Sequence, residues 1–221
     1  VSNLRIAVIG GTGDLGTGLA YRWAKAGFSI IIGSRTQEKA DQAKADLSVR
    51  VPNADISAFE NPEAAAKADV VVLTVPFTHQ KPTLETIREQ VQNKIVIDTT
   101  VSLVPPKVGR VQLPSEGSAG QIAQNVLGDA VKVVSAFQNV PAALLPTDQE
   151  IECDVLVCGN DKDAKTEVIK LVEAAGMTGF NAGLINNAAA SEALTSVLIN
   201  INRQFKCHAG IRIAGLEPKD H

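Results

Sequence analysis

Residues 10–16 read GGTGDLG, and no other stretch constrains the fold as tightly. The run LRIAVI at 4–9 precedes it, continuously apolar in the manner of a strand buried on both faces of a parallel sheet. Residues 15–26 follow, where Leu15, Leu19, Trp23 and Ala26 recur at helical spacing before Gly27 ends the helix. Gly11, Gly13 and Gly16 fit G-x-G-x-x-G in the context that gives the motif meaning, strand before and helix after. Gly11 permits a tight turn, Gly13 lets a pyrophosphate approach the backbone, and Gly16 lets helix and strand pack closely. The amides of Thr12, Gly13, Asp14 and Leu15 then face a ligand at a helix N-terminus, where the dipole favours negative charge. The motif predicts a dinucleotide site; a tight turn with no ligand is the plainer alternative.

The alternation continues along the chain. Strands are expected at 28–32, 55–59, 69–75, 94–98, 131–136, 153–158 and 178–181. Helices are expected at 36–47, capped by Thr36, at 61–68, with Asn61 as cap and Pro62 at its first position, and at 79–92, 118–127 and 161–175. Two proline-bearing stretches, 99–117 and 137–150, read as loops. Residues 184–205 form a long terminal helix with no strand of similar strength after it. The pattern predicts an α/β, Rossmann-type, doubly wound and mostly parallel sheet over 1–183. A small C-terminal helical cap or dimer element, 184–221, should pack on it, since about 35 residues cannot build a core alone.

The end of the second strand decides which dinucleotide is bound. SIIIGSR at 29–35 places Gly33, Ser34 and Arg35 where an Asp or Glu would grip the ribose 2′-hydroxyl of NAD and repel a 2′-phosphate. Ser34 can donate to a phosphate and Arg35 can pair with it. Lys39, one helical turn on, adds a second cation. NADP(H) is the expected cofactor; a solvated surface pair is the alternative reading of Arg35 and Lys39.

Composition narrows the partners. Aromatics make up 4% of the chain and the net charge is −3, so neither a base-stacking platform nor an anionic membrane is an expected partner. The three cysteines, Cys153, Cys158 and Cys207, show no CxxC pairing and read as free thiols in a reducing compartment. No apolar run is long enough to span a bilayer, and the first strand begins at once, leaving no room for a signal peptide. A cytoplasmic location is expected, and no metal site.

Several further stretches carry a family resemblance. GGTGDLGTGLAYRWAKAGFSIIIGSR, VLTVPFTH (72–79), SEGSAGQIAQNVL (115–127), VVSAFQNVPAALL (133–145), CDVLVCGND (153–161) and EALTSVLININR (192–203) stand in this order. Together they resemble the F420-dependent NADP reductases over nearly the whole chain. The resemblance implies hydride transfer between NADP(H) and coenzyme F420, an 8-hydroxy-5-deazaflavin, as second substrate. No protein nucleophile is needed, and no catalytic residue is expected; the protein supplies orientation, electrostatics and water exclusion. The resemblance further implies that Val75 and His79 face the nucleotide, and that Val101 and Ala142 line the nicotinamide pocket. The deazaflavin would lie across FQNVPA at 137–142, with Gln138 and Val140, and across HAGIRIAG at 208–215. Gln138 stands where the family often has a histidine near the deazaflavin ring; an amide can still donate and accept. Glu192 and Arg203, eleven apart on the terminal helix, read as a salt bridge or a dimer contact. A homodimer is expected.

Other readings also fit the residues. The first motif alone is shared with ferric-reductase domains and pyrroline-carboxylate reductases, so a flavin, ferric or imine reductase is possible from the residues. A non-catalytic NADPH-binding redox sensor is the reading from a different class.

Overall fold

The computed structural model describes residues 4–215. Eight strands form one sheet: β1 Arg5–Ile9, β2 Ser29–Ser34, β3 Ile56–Glu60, β4 Val70–Leu73, β5 Ile95–Asp98, β6 Lys132–Ser135, β7 Asp154–Gly159 and β8 Thr178–Asn181. Their spatial order is β3-β2-β1-β4-β5-β6-β7-β8. Neighbours are parallel throughout except β6 and β7, so the last two strands run against the other six. This is the expected doubly wound, mostly parallel sheet. Its order reverses between β1 and β4, the switch point where such sheets open a crevice at the carboxyl ends of their strands.

Helices α1 Asp14–Lys25, α2 Gln37–Arg50, α3 Asn61–Lys67, α4 Phe77–Ile87, α5 Ala119–Leu127, α6 Lys162–Ala174 and α7 Ala188–Phe205 cover the two faces. One hydrophobic cluster joins β1, β2 and β7 to α1 and α6 around Trp23, Ile32, Val157 and Leu171. A second lies on the opposite face around Leu73, Leu84, Val96 and Leu127. Strands such as VVVL at 70–73 are buried along their whole length because both faces are covered.

Several boundaries differ from the sequence reading: α2 runs on to Arg50, and α4 ends at Ile87, five residues before the expected 92. Helix α3 starts at Asn61 with Glu60 as its cap, so Pro62 stands one position further in than expected. Helix α4 starts two residues early, at Phe77, and contains Pro82. Helix α7 begins at Ala188 because residues 185–187 form a 3-10 turn. The terminal element packs against α5 and the second cluster through Ile185 and Ala188, while residues 216–221 of the expected cap lie outside the described residues.

Candidate active site

The glycine-rich turn sits at the β1/β4 switch point. Gly10 (φ +75°) donates to the carbonyl of Gly33 at 3.1 Å, and Gly11 donates to the same oxygen at 3.3 Å, tying the turn to the end of β2. A Cβ on Gly11 would stand 2.8 Å from the Val8 carbonyl oxygen, and one on Gly16 would stand 2.6 Å from Thr74 Oγ1 and 2.9 Å from Gly11 Cα. Both glycines are thus required by the close approach of β1, β4 and α1. Gly13 differs. It caps α1 in extended conformation with no side-chain hydrogen bond, and a Cβ there would meet nothing nearer than the Gly10 carbonyl oxygen at 3.9 Å. The protein does not fill that space, so the glycine at 13 keeps it open toward solvent at the N-terminus of the helix.

A cleft of about 480 Å³ opens beside this turn. Thr12, Gly13, Ser34, Arg35, Lys39, Val75 and His79 all line it, so the structure brings seven of the expected residues to one place. Arg35, Lys39 and His79 are exposed, and Ser34 is buried at the strand end. Gly33 acquires a second reason for being glycine. A Cβ at 33 would stand 2.6 Å from Ile9 Cδ1 and 3.1 Å from Asn61 Oδ1, so packing alone forbids an acid at this position.

The same cleft contains residues the sequence reading missed. Asn61 and Thr74 line it, and so do Pro82, Thr83 and Thr86. The α4 residues have a signal in hindsight: positions 79, 82, 83 and 86 fall on one helical face.

The remaining expected residues lie elsewhere along the carboxyl edge. Gly11 and Gly16 are buried, Asp14 is exposed and Leu15 half-buried in the turn and first helix. Val101 is half-buried in the loop after β5; Val140 and Ala142 are half-buried in the loop after β6. Gln138 stands in the expected loop, but its side chain turns inward. It is 7% exposed, and its Nε2 donates to the Asp98 carbonyl at 2.9 Å and to Ser135 Oγ at 2.8 Å. Its Oε1 is buried without a protein partner. The tail lies alongside this loop: Asp154 donates its amide to the Ile211 carbonyl, and a Cβ on Gly210 would stand 3.7 Å from the Asn139 carbonyl oxygen.

Two buried carboxyls sit beneath this half of the edge. Asp98 accepts from Gln80 Nε2 at 2.7 Å and from the Thr100 amide at 3.1 Å; burial pushes its carboxyl up to about 6, against the pull of those hydrogen bonds. Glu192 is 1% exposed and accepts the amides of Ala119 and Gly120 at 2.8 and 3.1 Å, at the N-terminus of α5. Burial pushes it up to about 8. Its partners are therefore backbone amides and not Arg203, which corrects the salt-bridge reading. Among the described residues no group of three or more His, Cys, Asp or Glu side chains is placed to hold a metal.

A family profile described as "NADP oxidoreductase coenzyme F420-dependent" matches residues 5–102. An F420-dependent NADP reductase of Methanocaldococcus jannaschii is 42% identical over 97% of this chain and 100% of its own length. The chain belongs to the F420-dependent NADP reductase family. A second such reductase, of Methanothermobacter thermautotrophicus, is 42% identical over 98% of this chain and 97% of its own. Among solved structures, a hypothetical protein of Sinorhizobium meliloti covers 87% of this chain and 88% of its own with TM-score 0.67 at 23% identity, a likeness of fold alone. Every family motif read from the sequence thus lies on an element that reaches the same carboxyl edge, between the glycine turn and α7.

Proposed function

We propose that this protein is an oxidoreductase that transfers a hydride between NADP(H) and coenzyme F420. The observation that carries the reading is the cleft at the switch point, where an unfilled glycine cradle and two exposed cations meet a strand end with no acid. Thr12 to Leu15 would hold the pyrophosphate, with Gly13 giving it room. Ser34, Arg35 and Lys39 would hold the 2′-phosphate, and Val75 and His79 would flank the adenosine. Val101, Val140 and Ala142 would border the nicotinamide and the deazaflavin. Once bound, the two cofactors supply the chemistry, a hydride passing from nicotinamide C4 to deazaflavin C5 or back. The chain's own work is to stack them, exclude water and fix their separation. Apolar Val101, Val140 and Ala142 suit that task, since no proton need be held between the rings.

We also propose a homodimer and a cytoplasmic location. Val197 and Phe205 leave apolar surface exposed on α7, and the free thiols Cys153, Cys158 and Cys207 suit a reducing compartment. The terminal element, 184–215 as described, is better treated as a part of the one fold than as a separate domain. Among the described residues no helix is long and apolar enough to cross a membrane.

Deuterium tracing tests direct transfer. NADPH carrying deuterium at C4 should deliver it to C5 of the reduced deazaflavin in a single turnover; a product free of deuterium from either C4-labelled face would refute direct hydride transfer.

A further inference from the structure

One face of α7 touches both loops of the acceptor half. Thr195 Oγ1 donates to the Gln138 carbonyl at 2.9 Å and accepts from Asn139 Nδ2 at 3.2 Å; the same Nδ2 reaches the Ser191 carbonyl at 2.8 Å. One position on, Ser196 Oγ donates to the Arg110 carbonyl at 3.3 Å, and a turn later Asn200 Nδ2 donates to the Gly109 carbonyl at 2.6 Å. A turn before, Glu192 holds the first amides of α5. The spacing 192, 195, 196 and 200 puts these side chains on one helical face.

The loop after β6 is held from its other side too. Phe137 has φ +73°, a conformation that strains a bulky residue and persists only where neighbours over-determine it. Those neighbours are present. The Phe137 ring is fully buried and meets Trp23 edge-on at 5.8 Å, and the Gln138 amide is tied to Asp98 and Ser135. Strain at 137, an inward amide at 138 and a clamped carbonyl at 138 hold residues 140–142 in place, half-buried, with Val140 packed against the first hydrophobic cluster.

We propose that Thr195 is a positioning residue for the second substrate. Its hydroxyl fixes the Gln138–Asn139 peptide to α7, and so sets where Val140 and Ala142 meet the deazaflavin; Gln138 serves the same end from inside and does not touch the ring. This rests on the hydride-transfer reading above. Thr195 lies on the acceptor side, whereas every residue placed at the adenosine end falls between positions 12 and 79, in β2, α1, α2, α4 or the turns that join β1–α1, β2–α2 and β4–α4. Its effect should therefore be larger for F420 than for NADPH, which this loop would meet only at the nicotinamide.

The test is Thr195→Val, which keeps the shape and removes the hydroxyl, beside Thr195→Ser, which restores it. Binding of F420 is read from deazaflavin fluorescence and NADPH binding from its own fluorescence, each alone, together with the two KM values. Thr195→Val should weaken F420 binding several-fold, up to about tenfold for one lost hydrogen bond, with NADPH weakened clearly less, and Thr195→Ser should recover it. The amide of Val140 should also exchange faster with solvent in Thr195→Val. Unchanged F420 binding would overturn the proposal, and so would an equal loss for NADPH, which marks a general loosening. Wild-type protein that fails to bind F420 at all would instead overturn the functional reading beneath it.

Discussion

Replacing Gly13 and Gly16 separately by alanine should divide binding from stability. Gly13 has φ −91° and ψ 166°, which any L residue adopts, and its added methyl would meet nothing within 3.9 Å. The change gains about 0.4–1 kcal/mol through the unfolded chain and loses a similar amount, about 1 kcal/mol, because alanine caps a helix less well than glycine. Gly13→Ala should therefore melt within about 2–4 °C of the parent. Gly16→Ala is different, because its methyl would stand 2.9 Å from Gly11 Cα, a backbone atom that cannot turn aside. Overpacking there costs about 3 kcal/mol, and the better helix propensity returns about 1 kcal/mol. A net loss of about 2 kcal/mol lowers the melting temperature by roughly 4–8 °C in a chain of this size. Binding should rank the other way for its cause: Gly13→Ala, though well folded, should weaken NADPH by an order of magnitude or more, about 1.4 kcal/mol, because the methyl occupies the space kept for the pyrophosphate. Melting curves and fluorescence titration with NADPH check both. A stable Gly13→Ala that binds NADPH like the parent would refute the cradle.

Two more outcomes are expected. Arg35→Ala should weaken NADPH roughly 10- to 100-fold, the worth of a hydrogen bond to a charged group, with little effect on NADH; equal losses for both nucleotides in KM measurements would sink the 2′-phosphate assignment. Burial raises Glu192 from 4.5 to about 8, so the folded chain keeps a proton that the unfolded chain releases; this contribution is complete below pH about 4.5 and lost as pH rises through about 8. Asp98, raised from 3.8 to about 6, adds a loss of the same sign at lower pH. Urea denaturation across this range should show stability falling toward pH 8, and Glu192→Gln should flatten the upper part of the fall; an unaltered slope in that variant would exclude Glu192 as its source.

What the sequence disclosed follows the range of the interactions involved. The first βαβ unit was legible because apolar runs, the glycine turn and the helical repeat all act within some thirty residues, 4–34. The adenosine end followed, since Ser34, Arg35 and Lys39 are set by the same unit. Helix boundaries differ by one to five residues, by one where caps compete, as at Glu60 and Asn61, and by five at the end of α4. The reversal of β7 against β6 left no local signal, because CDVLVC at 153–158 reads alike in either direction. Long-range polar pairs were invisible. Glu192 finds its amide partners at residues 119 and 120, and the Gln138 side chain is turned inward by Asp98, forty positions away. The inward turn of the Gln138 side chain, with its Nε2 on the Asp98 carbonyl and Ser135 Oγ, depends on packing that no motif records.

The most direct measurement of the central claim is an absorbance assay. Purified protein is mixed with NADPH and oxidised coenzyme F420, and the deazaflavin's visible band is followed, with FMN and FAD in parallel. The account predicts rapid, protein-dependent bleaching of the deazaflavin, with the two flavins left oxidised. Bleaching of a flavin while F420 stays oxidised, or tight NADPH binding with no acceptor reduced, would contradict it.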